Sequence, residues 1–197
     1  MALDLKSTRT LLWGAVLALA FIASGLYAYT TLTKSGSTGI GAGSYTLATA
    51  DGEVFSRERL KGQPTMLFFG YTHCPDVCPT TMAEMVGWYE TLGEEAKDLR
   101  AYFVTVDPER DTADVIRDYV AWTGHVEGVT GSRAETDKAI AAWSVFAEKV
   151  PGRGEDYTMN HTASVFLLDA NGEFAGTISY EESAATAVGK LRKLLAG

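Results

Sequence analysis

From Leu11 to Tyr29 the chain is almost continuously apolar (LLWGAVLALAFIASGLYAY), and no charged residue falls between Arg9 and Lys34. At about 1.5 Å of rise per residue, a helix of this length crosses the ~30 Å hydrocarbon core of a bilayer. Lys6 and Arg9 precede the run, and Trp13, Tyr27 and Tyr29 stand near its ends, where amphipathic rings favour the membrane interface. The positive flank predicts an N-terminus in the cytoplasm and everything after Lys34 outside. A cleaved signal peptide is the competing reading, because Ala18-Leu19-Ala20 resembles a cleavage site, but the apolar run continues well past it. Lys34 to Ser44 (KSGSTGIGAGS) has no periodicity and reads as a flexible Gly/Ser tether. The pattern thus divides the chain into an anchor over residues 1–33, a linker over 34–44 and a folded domain over 45–197.

Within that domain strand and helix patterns alternate. Thr65 to Phe69 is a short apolar run bounded by Pro64 and Gly70, and Ala101 to Val106 is another, ended by Asp107-Pro108; both predict buried strands. Between them Met82, Met85, Val86, Tyr89 and Leu92 recur at helical spacing, opened by Pro79 and a capping box from Thr81 to Glu84. Helices are predicted over Thr112 to Trp122, over Arg133 to Phe146 with Ile140, Trp143 and Phe146 inward, and over Glu182 to Leu195. Val165 to Leu168 and Glu173 to Ile178, joined through Asp169-Ala170-Asn171-Gly172, predict a β-hairpin. A βαβ unit followed by a hairpin and a closing helix is the order of an α/β, thioredoxin-like sandwich, here carrying an N-terminal transmembrane helix.

Charge narrows the partners. The 14 basic and 24 acidic residues of 45–197 give the outer domain a net charge of about −10. Such a balance excludes the basic footprint of a nucleic-acid binder and disfavours an anionic lipid surface. Attraction to a basic patch on a protein partner stays open.

Both cysteines lie in one loop, Gly70-Tyr71-Thr72-His73-Cys74-Pro75-Asp76-Val77-Cys78-Pro79, between a buried strand and a helix start. Helix N-termini favour thiolate over thiol, and the thiolate is both the nucleophile and the metal ligand. Three intervening residues let both sulfurs face one point, so the pair can close as a disulfide or chelate an ion. As an inert staple it would add little, because so short a loop removes little entropy from the unfolded chain. Chelation needs a further ligand. His125 sits in an inter-element turn, and His73, adjacent to Cys74, points elsewhere in most backbone geometries. His161 immediately precedes the predicted strand Ala163 to Leu168, whose start lies beside the dithiol loop in a thioredoxin-like sheet. Soft thiolates with one imidazole suit copper, and zinc comes second because a closed zinc site takes four ligands. Met82 and Met85 are near enough to be thioether candidates, but their helical spacing reads as core. Asp111 or Thr112 is the expected N-cap of the next helix, and Asp107 is expected to pair with Arg110.

Phe69 to Pro79, then Val106-Asp107-Pro108-Glu109-Arg110-Asp111-Thr112, then Asn160-His161-Thr162, in this order, resemble the Sco/SenC family of copper-binding assembly proteins. The resemblance implies a membrane-anchored thioredoxin fold that binds Cu(I) or Cu(II) through Cys74, Cys78 and His161. It also implies a role in building the dinuclear copper centre of cytochrome c oxidase subunit II, with other copper carriers as further partners. Combined with the charge pattern, it implies a single-pass protein of a bacterial inner membrane whose functional domain is periplasmic. The family commonly has Asp before the ligand histidine and Ser after it, where this chain has Asn160 and Thr162, so no carboxylate stands at position 160. Two classes of function follow: a copper metallochaperone, or a thiol-disulfide oxidoreductase using the redox pair Cys74 and Cys78. A thioredoxin has CxxC and a proline before the strand at Ala163, where this chain has His161, and that favours copper.

Overall fold

In a computed structural model that describes residues 13–14, 16–25, 39–152 and 156–197, the chain divides into two compact units, Met1–Thr38 and Gly39–Gly197. In the first, residues 16–25 are helical. The expected anchor Leu11 to Tyr29 lies partly outside the described residues, and among the described residues no helix is long and apolar enough to cross a membrane.

The second unit contains, in chain order, β1 (Leu47–Thr49), β2 (Val54–Phe55), β3 (Thr65–Gly70), α1 (Val77–Leu92), β4 (Arg100–Thr105), α2 (Ala113–Val120), β5 (Val126–Thr130), α3 (Arg133–Ala142), β6 (Ala147–Pro151), β7 (Tyr157–His161), β8 (Val165–Leu168), β9 (Phe174–Ile178) and α4 (Ala184–Leu195). Seven strands form one sheet in the order β2-β1-β5-β4-β3-β8-β9, while β6 and β7 pair only with each other as an antiparallel ribbon. β3, β4 and β5 run parallel, and β8 returns antiparallel beside β3. β3 is buried along its whole length, as expected of a parallel strand covered on both faces. Phe69, Trp143 and Phe166 pack ring to ring at centroid separations of 5.8–6.4 Å and anchor the sheet to the end of α3. Met82 and Met85 are fully buried core residues.

Several expectations change. α1 starts at Val77, four residues before the proposed capping box. Pro79 fits its first turn because an N–H there needs no helical partner. Thr81 is therefore buried inside the helix with its hydroxyl unpaired, and no capping box forms. α3 stops at Ala142, short of the predicted Phe146. Val145 N–H donates to the Ile140 carbonyl and Ser144 N–H to that of Ala141, a Schellman closure with Ser144 at φ 52°. Phe146 consequently lies outside the core and is 57% exposed. β5 has no counterpart among the predicted strands: Gly128 interrupts it in sequence, and the missing side chain there admits Ile116 of α2. Residues 39–44 of the expected linker rest on the domain: Gly41 N–H donates to the Ala142 carbonyl at 2.7 Å, with the Trp143 ring against its Cα.

Candidate metal centre

The end of β3 and the start of α1 bring the cysteines together. Cys78 is the second residue of α1 and fully buried; Cys74, in the preceding loop, is half-buried. Cys78 N–H, one of the helix's free N-terminal donors, points at Cys74 Sγ at 3.4 Å. His161 is the last residue of β7, on the separate ribbon and not on the lead-in to β8 that the sequence pattern suggests. Its Nε2 stands 3.3 Å from Cys78 Sγ. Its Nδ1 lies 2.9 Å from the Thr162 carbonyl, which can only accept, so Nδ1 carries the proton and Nε2 presents its lone pair to the sulfurs. Tyr71 and Phe68 meet the imidazole edge to face at 5.7 and 6.1 Å and fix its plane. One ligand atom from each of Cys74, Cys78 and His161 falls within 4.8 Å of the others.

Electrostatics separates the two sulfurs. The hydrogen bond from the Cys78 thiol holds Cys74 down at about 3 against the opposing effect of burial, aided by the N–H groups of Cys78 and Asp76. Donating that bond and being buried both push Cys78 up. The two shifts run in opposite directions and favour the thiolate on the more accessible sulfur and the proton on the buried one.

The segment between Asp107 and Asp111 braces both halves of this arrangement. Asp111, fully buried, accepts from Thr72 N–H at 3.0 Å and from the Thr72 and Thr105 hydroxyls at 2.6 Å each, tying the dithiol loop to β4. Thr112, not Asp111, caps α2 by accepting from Val115 N–H. Asp107 pairs with Arg110 Nε at 2.5 Å as expected, and also accepts from the Tyr157 hydroxyl at 2.7 Å. Arg110 donates to the Tyr157 carbonyl at 3.0 Å and lies 3.6 Å over its ring, so this segment grips the strand that carries His161. Asp111, Thr72 and Tyr157 had no sequence signal for this role beyond their hydrogen-bonding types. Thr162 exchanges two hydrogen bonds with the backbone of Phe146. His73 is outside the ligand group and bonded to the Thr72 hydroxyl at 3.1 Å, and His125 stacks on Tyr89 at 4.3 Å. A cleft of about 510 Å³, lined by Cys74, Pro75, Phe146, Met159 and His161 among others, opens beside the half-buried sulfur.

The sequence model of the SCO1/SenC family matches residues 33–196. The chain belongs to that family. A SCO2-like protein of Rickettsia felis is 33% identical over 135 residues, 67% of this chain and 66% of that protein. The mitochondrial SCO1 homolog of Homo sapiens is 35% identical over 136 residues, 67% of this chain and 45% of that one. The chain therefore spans just under two thirds of the first relative and less than half of the human protein. Bradyrhizobium japonicum ScoI, solved with copper bound, superposes with a TM-score of 0.71 at 39% identity, covering 77% of this chain and 98% of that one. The mixed α/β sheet described above is similar to that of this solved structure.

Proposed function

We propose that this chain takes up copper through Cys74 Sγ, Cys78 Sγ and His161 Nε2 and delivers it to the dinuclear copper centre of cytochrome c oxidase subunit II. The observation that carries this reading is the meeting of two sulfurs and one imidazole nitrogen within 4.8 Å from elements 83 residues apart. Two soft sulfurs with one nitrogen match Cu(I), which accepts three ligands, better than a four-coordinate zinc site. Cys74 is the sulfur biased toward thiolate and His161 Nε2 already faces the sulfurs, so uptake draws on groups arranged as ligands and releases protons from the thiols as it proceeds. Cys74 opens on the cleft, where an acceptor's sulfur can approach and exchange ligands with it. The apolar run Leu11 to Tyr29 would hold the chain in a bacterial inner membrane with the copper site on the periplasmic face. Anchoring confines donor and acceptor to one surface and raises their effective concentration.

Titrating the reduced full chain with Cu(I) and with Cu(II) tests the site: one ion per chain is expected. Cys74→Ser or Cys78→Ser should abolish tight binding, and His161→Ala should weaken it while leaving the dithiol oxidisable. Unchanged affinity and spectrum in His161→Ala would overturn the ligand set. Cells lacking the protein should lose oxidase activity most severely at limiting copper, and added copper should restore part of it.

The asymmetry of the sulfurs favours a second reading. An accessible thiolate beside a buried thiol is the arrangement of an attacking and a resolving cysteine. Cys74 would attack a partner disulfide, releasing one partner thiolate, which takes the Cys78 proton; the Cys78 thiolate would then attack Cys74 Sγ in the mixed disulfide, releasing the other. The Cys74–Cys78 pair is oxidised by two electrons and the partner disulfide is reduced. Normal oxidase activity in copper-starved cells lacking the protein, together with failed periplasmic disulfide reduction, would favour this reading.

A further inference from the structure

Gly70 ends β3 after five residues that all carry side chains into the core. The run bounded at Gly70 in the sequence pattern in fact continues through it, paired with Thr105 of β4. Gly70 is not among the residues with positive φ, so no left-handed turn calls for glycine. Glycine inside a strand is disfavoured and marks a place where something approaches the backbone closely. Here a core ring and a ligand sulfur approach together: a Cβ at position 70 would stand 2.8 and 3.2 Å from Phe103 Cε2 and Cζ and 2.9 Å from Cys78 Sγ. Among the described glycines, others that face a close neighbour meet ordinary packing groups, such as Ile116 at Gly128 and Leu47 at Gly131.

We propose that Gly70 is a positioning residue for copper binding, its missing side chain forming the seat that holds the Cys78 sulfur at its distance from Cys74 and His161. Ordinary van der Waals separations are about 3.5–4.0 Å, so an added methyl forces the sulfur back by roughly 0.5–1 Å or into another rotamer. Either movement changes its 3.3 Å approach to His161 Nε2. The Phe103 ring, packed against Phe68 at 6.0 Å and Tyr119 at 5.3 Å, has little room to yield instead. The inference rests on the copper reading given above, and the experiment keeps the two apart.

The reduced full chain is compared with Phe103→Leu, Gly70→Ala and the double variant Gly70→Ala/Phe103→Leu. Cu(I) affinity is measured by competition with a chromophoric chelator, and the Cu(II) thiolate charge-transfer band is recorded. Phe103→Leu, which frees the ring side, should bind copper as the parent does. The double variant should keep the parent's circular dichroism but bind Cu(I) about 10–100-fold more weakly, the range for losing a group that orients a metal ligand, with a shifted band. Parental affinity and band in the double variant would overturn the proposal. Loss of its fold would also do so, since the sulfur would then not be the part that yields. If the parent itself binds no copper, the copper reading fails. The seat is then tested by the Cys74–Cys78 disulfide equilibrium against glutathione, which shifts in the double variant if Gly70 positions the sulfur and is unmoved if it does not.

Discussion

Arg110 satisfies groups on two elements at once: the Asp107 carboxylate, the Tyr157 carbonyl and the Tyr157 ring. Asp107 is 1% exposed, so removing its counter-charge leaves a carboxylate buried away from water and held, among the described residues, by the Tyr157 hydroxyl. Arg110→Met, which keeps the apolar stem, should destabilise the domain by about 3–5 kcal/mol in urea denaturation. Tyr157→Phe should cost about 1 kcal/mol, and the double variant should cost less than the two together because both changes strip the same carboxylate. A loss under about 1 kcal/mol for Arg110→Met would mean that the grip on β7 is not structural. The Asp107–Arg110 pair was readable from their i,i+3 spacing, whereas the hydroxyl from Tyr157, 50 residues away, was not. Asp111 illustrates the same boundary: sequence made it a helix cap as plausible as Thr112, and only the position of Thr72, 39 residues away, turned its side chain toward the dithiol loop.

Elements are set by their ends as much as by their periodicity. α3 carries apolar residues at helical spacing through Phe146, yet terminates four residues earlier because Ser144 accepts a left-handed conformation that glycine normally supplies. Ser144 is exposed, so Ser144→Gly should relieve that strain and raise stability by about 1 kcal/mol, seen as an increase in Tm. A decrease would show that the Schellman closure is not strained. At the β8–β9 turn Asp169 accepts from the N–H groups of Asn171 and Glu173 at 2.8 and 2.9 Å. Burial opposes its ionisation, but these bonds outweigh it and hold the carboxyl below the usual range. Its contribution is therefore complete above the unfolded value of about 3.9 and lost as pH falls through the lower folded value. The stability gap between the parent and Asp169→Asn should close over that acid window and stay constant above it; a gap independent of pH would contradict the assignment. The turn was legible because Asp, Asn and Gly each have local conformational reasons to be there, while β6 and β7, with few buried residues, offered no such pattern.

At the scale of the whole molecule the proposal requires the copper site to be held outside the cytoplasm. A reporter active only outside the cytoplasm, fused after Gly197, should work, and high salt should leave the full chain in the membrane pellet because hydrophobic insertion is insensitive to screening. A soluble species beginning after Ala20 would favour a cleaved signal instead. The amino-acid sequence alone determined what nearest neighbours decide: the apolar run, the buried strands, the helix over Met82 to Leu92, the dithiol at that helix's start and the β8–β9 turn. Periodicity and turn chemistry act within a few residues, so they are written in the order of the chain. His161 was singled out by its place before a strand, but its ride on a separate ribbon, and the tautomer that turns Nε2 toward Cys78, came only from the folded arrangement. The tertiary structure likewise decided which aspartate braces the dithiol loop, how Tyr157 is gripped and what Gly70 makes room for. Each of those depends on atoms brought together from positions distant in sequence, and their pairing follows from how the sheet and helices pack, which no local pattern encodes.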